Sequence, residues 1–446
     1  MVDLRFGLSS RVITPTVPVS LAGYFNLRPW EMVLDDLLVR ALALRQGGRS
    51  AALMQFDLVT VSNEIMEAVR GACGDIEGLA PENILFTASH THTAPEIRGH
   101  RRGGNPEYTA SLIEHAIAAL HEAFASLKPG RFVTGSTSDD RFAFNRRYWM
   151  KDGTVITNPP RRHPDIVRPE GPIDPVIGLV GIETDEGLEV LLANIVNHAD
   201  TIEGCGVSGD WPGFVARTLE EQNPGLRVIP LNGCEGNINH LDPDGVEKQS
   251  SYETARRIGT GYAERIQEVL GALRPSQSQE LVMGVESFTT GPREISEEEL
   301  SEARQIVVTC EYDESRQLTS EDLATGSPAA LRYFADRLLI VAEDRADRTF
   351  ELHALGLGDA LLVTLPGEPF VENGLTIRNE MSACDPTLIA NLNQDGAVYI
   401  PNRFNYGRGG YETTPRCSPY SMETANHMLA GARRLLAGLD RLKKDV

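Results

Sequence analysis

The sequence predicts a mixed α/β (α+β) protein, with central β-sheets flanked by helices, built as one large domain over residues 1–446. Three observations carry that expectation. Short β-branched and apolar runs alternate with amphipathic helical segments along the whole chain. A composition of 41% hydrophobic and 24% charged residues is that of a globular chain with a large core. No internal repeat or low-complexity tract marks a boundary, although the length alone would allow two or three domains.

The elements follow in order. "SAALMQFDLV" (50–59) reads as a buried strand, "SNEIMEAVRGAC" as a helix, and "NILFTAS" (83–89) as a second strand. "YTASLIEHAIAALHEAFASL" (108–127) has the i, i+3, i+4 apolar spacing of a long helix. "VIGLVGIET" (176–184) and "EVLLANIVNHA" (189–199) pair around the "TDEG" turn. "GFVARTLEEQ" is helical and "LRVIPLNG" a strand. Ser296 and Glu299 have the spacing of a capping box, which starts a helix running to residue 310. "PAALRYFADRLLIVAED" is a further helix, 348–368 a hairpin turning at Gly358-Asp359, and the segment from "METANH" onward a closing helix. The proline-rich stretch 145–175 reads as mostly irregular, and loops of that length inside a domain tend to be functional.

A net charge of −21 argues against nucleic acid or an anionic membrane surface as the main partner. No apolar run reaches the length of a membrane span, and "MVDLRFGLSS" lacks the apolar region of a secretion signal. Six scattered cysteines without a CxxC pair read as reduced thiols of a cytoplasmic protein. The expected partner is a small-molecule substrate. The sequence sets no oligomeric state and permits a homo-oligomer.

"FTASHTHTAPEIRGH" (86–100) concentrates three histidines. Alternation along a strand end turns His90 and His92 to the same face, which suits one metal ligand with a neighbour poised beside it. A bland reading, histidines bonded to turns, competes until further ligands are found. Two candidates share the strand-end setting in which α/β active sites sit: His198 after "LLANIVN" and Glu368 after "ALLVTLPG".

These motifs resemble the neutral/alkaline ceramidase family, specifically its N-terminal catalytic domain. "SHTHTAP" (89–95) is similar to the family's Thr-His-Thr-His-Ser-Gly-Pro motif, and "VNHADT" to the setting of its second zinc histidine. Ser208-Gly209-Asp210, Asn145-Arg146, the "LPGEP" around Glu368, and Tyr399, Tyr406 and Tyr411-Glu412 follow in the family's order. The resemblance implies one Zn2+ per chain, held by His90, His198, Glu368 and Tyr399, with Arg146 beside it. A metal of this kind activates water and polarises the scissile group. His92 would then move a proton or donate to a developing oxyanion, and Arg146 would hold a substrate oxygen.

The chain departs from that pattern at one telling place. Where the family carries a serine implicated in catalysis, "CEGNINHLDP" has Asn239, which is no nucleophile but forms hydrogen bonds. Direct attack by metal-activated water is therefore expected. A serine-hydrolase reading of "GVSGD" (206–210) is disfavoured because Asp210 stands at the fifth position of the nucleophile elbow. Arg98, His100, Arg101 and Arg102 follow the histidine motif, Arg161 and Arg162 lie in the proline-rich loop, and Arg403 and Arg408 flank Tyr399. This basic fringe suggests a small polar, anionic substrate, bound through Arg98, Arg161, Arg162 and Tyr411. The competing reading is that these arginines pair with the protein's surplus acids. The function expected is hydrolysis of an amide-type C–N bond. The alternatives are cleavage of a C–O bond in a sugar-like lactone, ester or glycoside, and a non-catalytic metal-binding relative.

Overall fold

A computed structural model describes residues 3–25, 28–98, 103–310, 318–394 and 398–444. Arg5–Val12 (β1), Leu38–Gln46 (β2) and Arg49–Phe56 (β3) form an antiparallel sheet. The tight link between β2 and β3 is Gly47-Gly48, both left-handed (φ 58 and 79°), as a two-residue hairpin turn requires. Helix α1 (Asn63–Gly71), capped by Ser62, then crosses over to Leu79–Ala88 (β4), which lies parallel to β3. Strand β3 stops at Phe56 because Asp57 turns inward, accepting from the Leu38 amide and pairing with buried Arg40.

The same order of strands occurs three times. Arg131–Ser138 (β5), Val176–Thr184 (β6) and Gly187–Ile195 (β7) are antiparallel neighbours, and helix α2 (Asp210–Gln222) leads to the parallel strand Arg227–Asn232 (β8). Leu281–Thr290 (β9), Arg348–Leu357 (β10) and Ala360–Thr364 (β11) repeat it, with the Val371–Met381 helix leading to the parallel strand Thr387–Ala390 (β12). A second helix follows each parallel strand: Pro106–Ala125, Tyr252–Leu270 and Thr424–Lys444. After the first two of these, Lys128-Pro129 and Arg274-Pro275 return to pair with the first strand of their own sheet. The expectation of no internal repeat therefore holds for residue identity and fails for topology. A strand order needs only the apolar pattern to recur, not the side chains themselves.

The three sheets pack their apolar faces into one core, where Leu53 and Leu85 meet Leu192, Ile229, Leu362 and Leu388. At the carboxyl ends of the parallel strands the sheets are tied by polar contacts. Thr87 Oγ1 donates to the Asn391 carbonyl (2.9 Å), the Asn391 amide to the Asn232 carbonyl (3.1 Å), and Asn232 Nδ2 to the Ser89 carbonyl (3.2 Å). Buried Asn194 bridges β7 to β12: its Nδ2 donates to the Ile389 carbonyl (2.9 Å) and its Oδ1 accepts from the Ile389 amide (2.9 Å). The first residues beyond all three parallel strands thus converge on one region.

Most predicted elements stand close to where the periodicity placed them, including the Ser296–Glu299 capping box and the Gly358-Asp359 turn. The stretch 145–175 is more ordered than expected. It carries a small sheet of Arg147–Met150, Val155–Thr157 and Ile166–Pro169, pinned by the buried Arg147 guanidinium between Glu170 and Glu412. Among the described residues no helix is long and apolar enough to cross a membrane.

Replacing Asn194 with Leu is expected to cost about 2–4 kcal/mol, because the N–H and C=O of Ile389 are left buried without partners. Equilibrium denaturation of the purified variant checks this; an unchanged midpoint contradicts the bridging role.

Candidate metal centre

His90 is the second residue beyond β4 and adopts a left-handed backbone (φ 64°). Leu392, the second residue beyond β12, does the same (φ 61°). A non-glycine residue holds this conformation only where its surroundings over-determine it. For His90 the restraint is visible. Its Nδ1 donates to the Val59 carbonyl at 2.8 Å, so the Nε2 lone pair faces inward.

That Nε2 lies 3.0 Å from His198 Nε2, 3.2 Å from His92 Nε2 and 3.4 Å from Glu368 Oε2. His198 Nε2 is 3.9 Å from the same carboxylate oxygen. Among the described residues, Nδ1 of both His92 and His198 and Oε2 of Glu368 are buried without hydrogen-bond partners. Neighbouring ligands of a tetrahedral zinc site with bonds of about 2.0–2.1 Å stand roughly 3.3 Å apart. The observed spacings bracket that value, and the donor types are those zinc accepts, so the residues present fit a divalent ion.

The electrostatics point the same way. Burial works against charge on His90, but Glu368 overrides it and raises the imidazole to about 9. Burial, then the charge of His90, pushes His198 down to about 3 and His92 well below the usual histidine range. Burial opposes ionisation of Glu368 as well, yet His90 holds it at about 2. The cluster therefore accommodates one positive charge and no second proton. Burial and the Glu368 carboxylate push the Tyr399 phenol well above its ordinary value, so its ionisation requires a cation nearby. Tyr399 pairs with Glu368 along the short strands Glu368-Pro369 and Tyr399-Ile400, which brings the phenol to the cluster.

The cluster opens into a cavity of about 490 Å³. His90, His92, His198, Glu368, Tyr399, Tyr411 and Arg98 all line it. Gly23 passes so close over His92 that a Cβ there would lie 2.3 Å from the imidazole, which ties this loop to glycine. Arg146 sits behind the wall, committed to Glu412 (3.0 Å) and the Gly236 carbonyl (2.7 Å), with its guanidinium near the Tyr399 and Tyr411 rings. Asn239 is fully buried. Its Nδ2 donates to Asn158 Oδ1 (3.0 Å), and Asn158 is the residue that reaches the cavity.

Other expected residues are placed elsewhere. Arg161 and Arg162 are exposed and donate to the carbonyls of Glu247 and Asp244; they do not line the cavity. Their loop is tied to the 242–247 segment, where the Arg162 amide donates to the Pro243 carbonyl at 2.8 Å. Ser208 is buried, and its hydroxyl donates to Asp35 Oδ2 at 2.6 Å. His100, Arg101 and Arg102 lie outside the described residues. Much of the basic fringe pairs with the protein's own acids: Arg98 with Glu96, Arg403 with Glu423, Arg408 with Glu170.

Four site residues were missed in the sequence. Asp200 lines the cavity, and its carboxylate accepts from His240 Nδ1 at 3.1 Å; burial opposes its charge, but His198 and His240 hold it well below the usual range. Asn158 and Arg416 also face the cavity. Glu235, three residues beyond β8, joins His90, His198 and Glu368 in a set whose ligand atoms all lie within 4.8 Å of one another. Its signal was legible in "LNGCEG", an acid at the same strand-end setting as His90. Cys417, also in the lining, has its thiol pushed up to about 11 by burial and so stays protonated.

This architecture is the ceramidase-like fold. The structure entitled "Ceramidase complexed with C2" superposes with a TM-score of 0.76 at 17% identity, covering 99% of this chain and 76% of that one. A neutral ceramidase from Pseudomonas aeruginosa superposes with a TM-score of 0.72 at 18% identity, covering 98% and 75%. No protein-family model and no curated protein matches the sequence.

Glu412 accepts from Arg146, Arg147 and Thr157 and is fully buried. Burial opposes its charge, but the two guanidiniums keep it below the ordinary 4.5. A depressed carboxylate stabilises the fold above its unfolded pKa and loses that contribution as pH falls through the folded one. Glu412→Gln is therefore expected to cost about 3–5 kcal/mol at neutral pH. The gap to the parent should narrow below pH ~4.5. Thermal unfolding across pH measures both; a gap independent of pH contradicts the assignment.

Proposed function

We propose that this protein is a zinc-dependent hydrolase acting on an amide-type C–N bond of a small polar, anionic substrate. The observation that carries the reading is the convergence of His90 Nε2, His198 Nε2 and Glu368 Oε2 within 3.0–3.9 Å of one another at the edge of the cavity. The kinship of fold with ceramidases supports it. His90, His198, Glu368 and Tyr399 would hold one ion per chain, which supplies Lewis acidity and activates water.

The remaining groups belong to the protein. His92 stands 3.2 Å from His90, its Nδ1 without a partner, and takes the role of proton carrier or oxyanion donor. Arg146, sealed behind Tyr399 and Tyr411, is a positioning residue that orients the two phenols. Arg98, fixed by its bidentate pairing with Glu96, and Arg416 place guanidinium groups on the cavity wall. Among the described residues no carboxylate pairs with Arg416, so it is the group best placed to receive a substrate anion. Phe25, Leu318 and Leu323 give the same cavity an apolar wall, which suits an acylated amino compound with a free acid. The C–O reading shares this site and is compatible with the asparagine at 239, since no serine there imposes an acyl-enzyme.

The test is turnover of N-acyl amino acids, with matched esters and lactones, by zinc-loaded protein. Chelation should abolish turnover and zinc should restore it; Glu368→Gln should lose at least a hundredfold. His92→Ala should lower kcat by about 10²–10⁴ with little change in KM. Turnover that survives chelation overturns the metal role, and cleavage of esters alone shifts the assignment to C–O chemistry.

A further inference from the structure

The ligand set implied by the resemblance contains one carboxylate, but the cluster holds two. Glu235 is fully buried, and its Oε2 accepts from Asn391 Nδ2. Its Oε1 is buried with no hydrogen-bond partner among the described residues. A carboxyl oxygen buried away from water and without a donor carries a desolvation cost that a cation beside it would offset. No lysine or arginine pairs with Glu235 among the described residues, whereas one ligand atom each from His90, His198 and Glu368 lies within 4.8 Å of it. His92 belongs to a separate group with His90 and His198 and is absent from this four-membered set.

The repeated topology explains why an acid arrives there. Strands β4, β8 and β12 end around one polar ring, and the chain leaves each towards the same centre. The first exit delivers His90, the third delivers Asn391 and Leu392, and the second delivers Glu235. Asn391, from the third exit, fixes the carboxylate of the second by its hydrogen bond. Gly236 then lets the chain turn away under the Glu368 backbone, where a Cβ would lie 2.3 Å from the Glu368 carbonyl.

We propose that Glu235 is a further metal ligand beside His90, His198, Glu368 and Tyr399, so that two carboxylates, Glu235 and Glu368, together balance a divalent cation. This inference rests on the metal reading above. A second hard oxygen donor raises the preference for ions such as Mn2+ relative to a site with one carboxylate. Glu235→Gln is the informative variant, because the amide oxygen still accepts from Asn391 while the charge is removed.

The experiment is competition with a chromophoric chelator for Zn2+ and for Mn2+, together with the visible absorption of the Co2+-substituted protein. Glu235→Gln should weaken Zn2+ binding at least tenfold and Mn2+ binding more, and should change the Co2+ bands, with the thermal midpoint of the metal-free protein within a few degrees of the parent. Glu235→Asp, which keeps the charge, should recover part of the affinity. Parent protein that binds metal, with a Glu235→Gln variant of equal affinity and identical Co2+ spectrum, overturns this inference and leaves the hydrolase reading standing. Parent protein that binds no metal overturns both.

Discussion

Three imidazole nitrogens and a carboxylate oxygen crowd together at the wall of one cavity, with His90 Nε2 3.0–3.4 Å from each of the other three, and one positive charge must sit among them. His90 Nδ1 is already committed to the Val59 carbonyl, so its Nε2 lone pair cannot be turned away. Burial, and after it the charge of His90, keeps His198 and His92 from taking up a second proton. A proton on His90 satisfies the cluster poorly, because it reaches only some of the facing lone pairs. A divalent ion satisfies them together, and the rest of the architecture serves to hold these groups in place against their mutual repulsion.

The fold does this by repetition. Each of three sheets ends in a parallel strand reached through a helix, and the carboxyl ends of those strands are laced by Thr87, Asn232 and Asn391. Residues just beyond a strand are there held on both sides, which is why a strained backbone at His90 and at Leu392 persists. His90 leaves one of these strands, while His198 and Glu368 leave the strands β7 and β11 that lie beside the other two, so the centre takes its ligands from all three sheets without any single loop having to curl around it. The Glu412 network performs the same service for Arg146, fixing a buried cation behind the two tyrosines.

Much of this was visible in the residues, and the reasons for the remainder are physical. Long apolar runs such as 176–184 and strong signals such as the Ser296–Glu299 box marked their elements, because period and capping are local properties. The helix Tyr252–Leu270 carries a sparser signal, with Ile258, Tyr262 and Ile266 spaced at one turn among small residues. Its buried face uses Ala255, Gly259 and Ala263, small residues that let α2 approach until a Cβ on Gly259 would lie 2.5 Å from the Trp211 carbonyl. The threefold topology was hidden because strand order leaves no mark on side-chain identity. In the centre, histidines and a glutamate at strand ends could be singled out one by one. Arg416 and Asn158 could not, since only the tertiary fold brings their segments to the cavity. The basic loop misled for a related reason. Charge density in sequence says nothing about direction, and Arg161 and Arg162 donate to the carbonyls of Glu247 and Asp244 outside the cavity lining.

The central claim concerns a place in space, so diffraction tests it most directly. Crystals grown with zinc, measured on both sides of the zinc absorption edge, should show one anomalous peak per chain within bonding distance of His90 Nε2, His198 Nε2 and Glu368. Strong peaks confined to surface sites, with the two imidazole nitrogens still facing each other across an empty gap, would contradict the account.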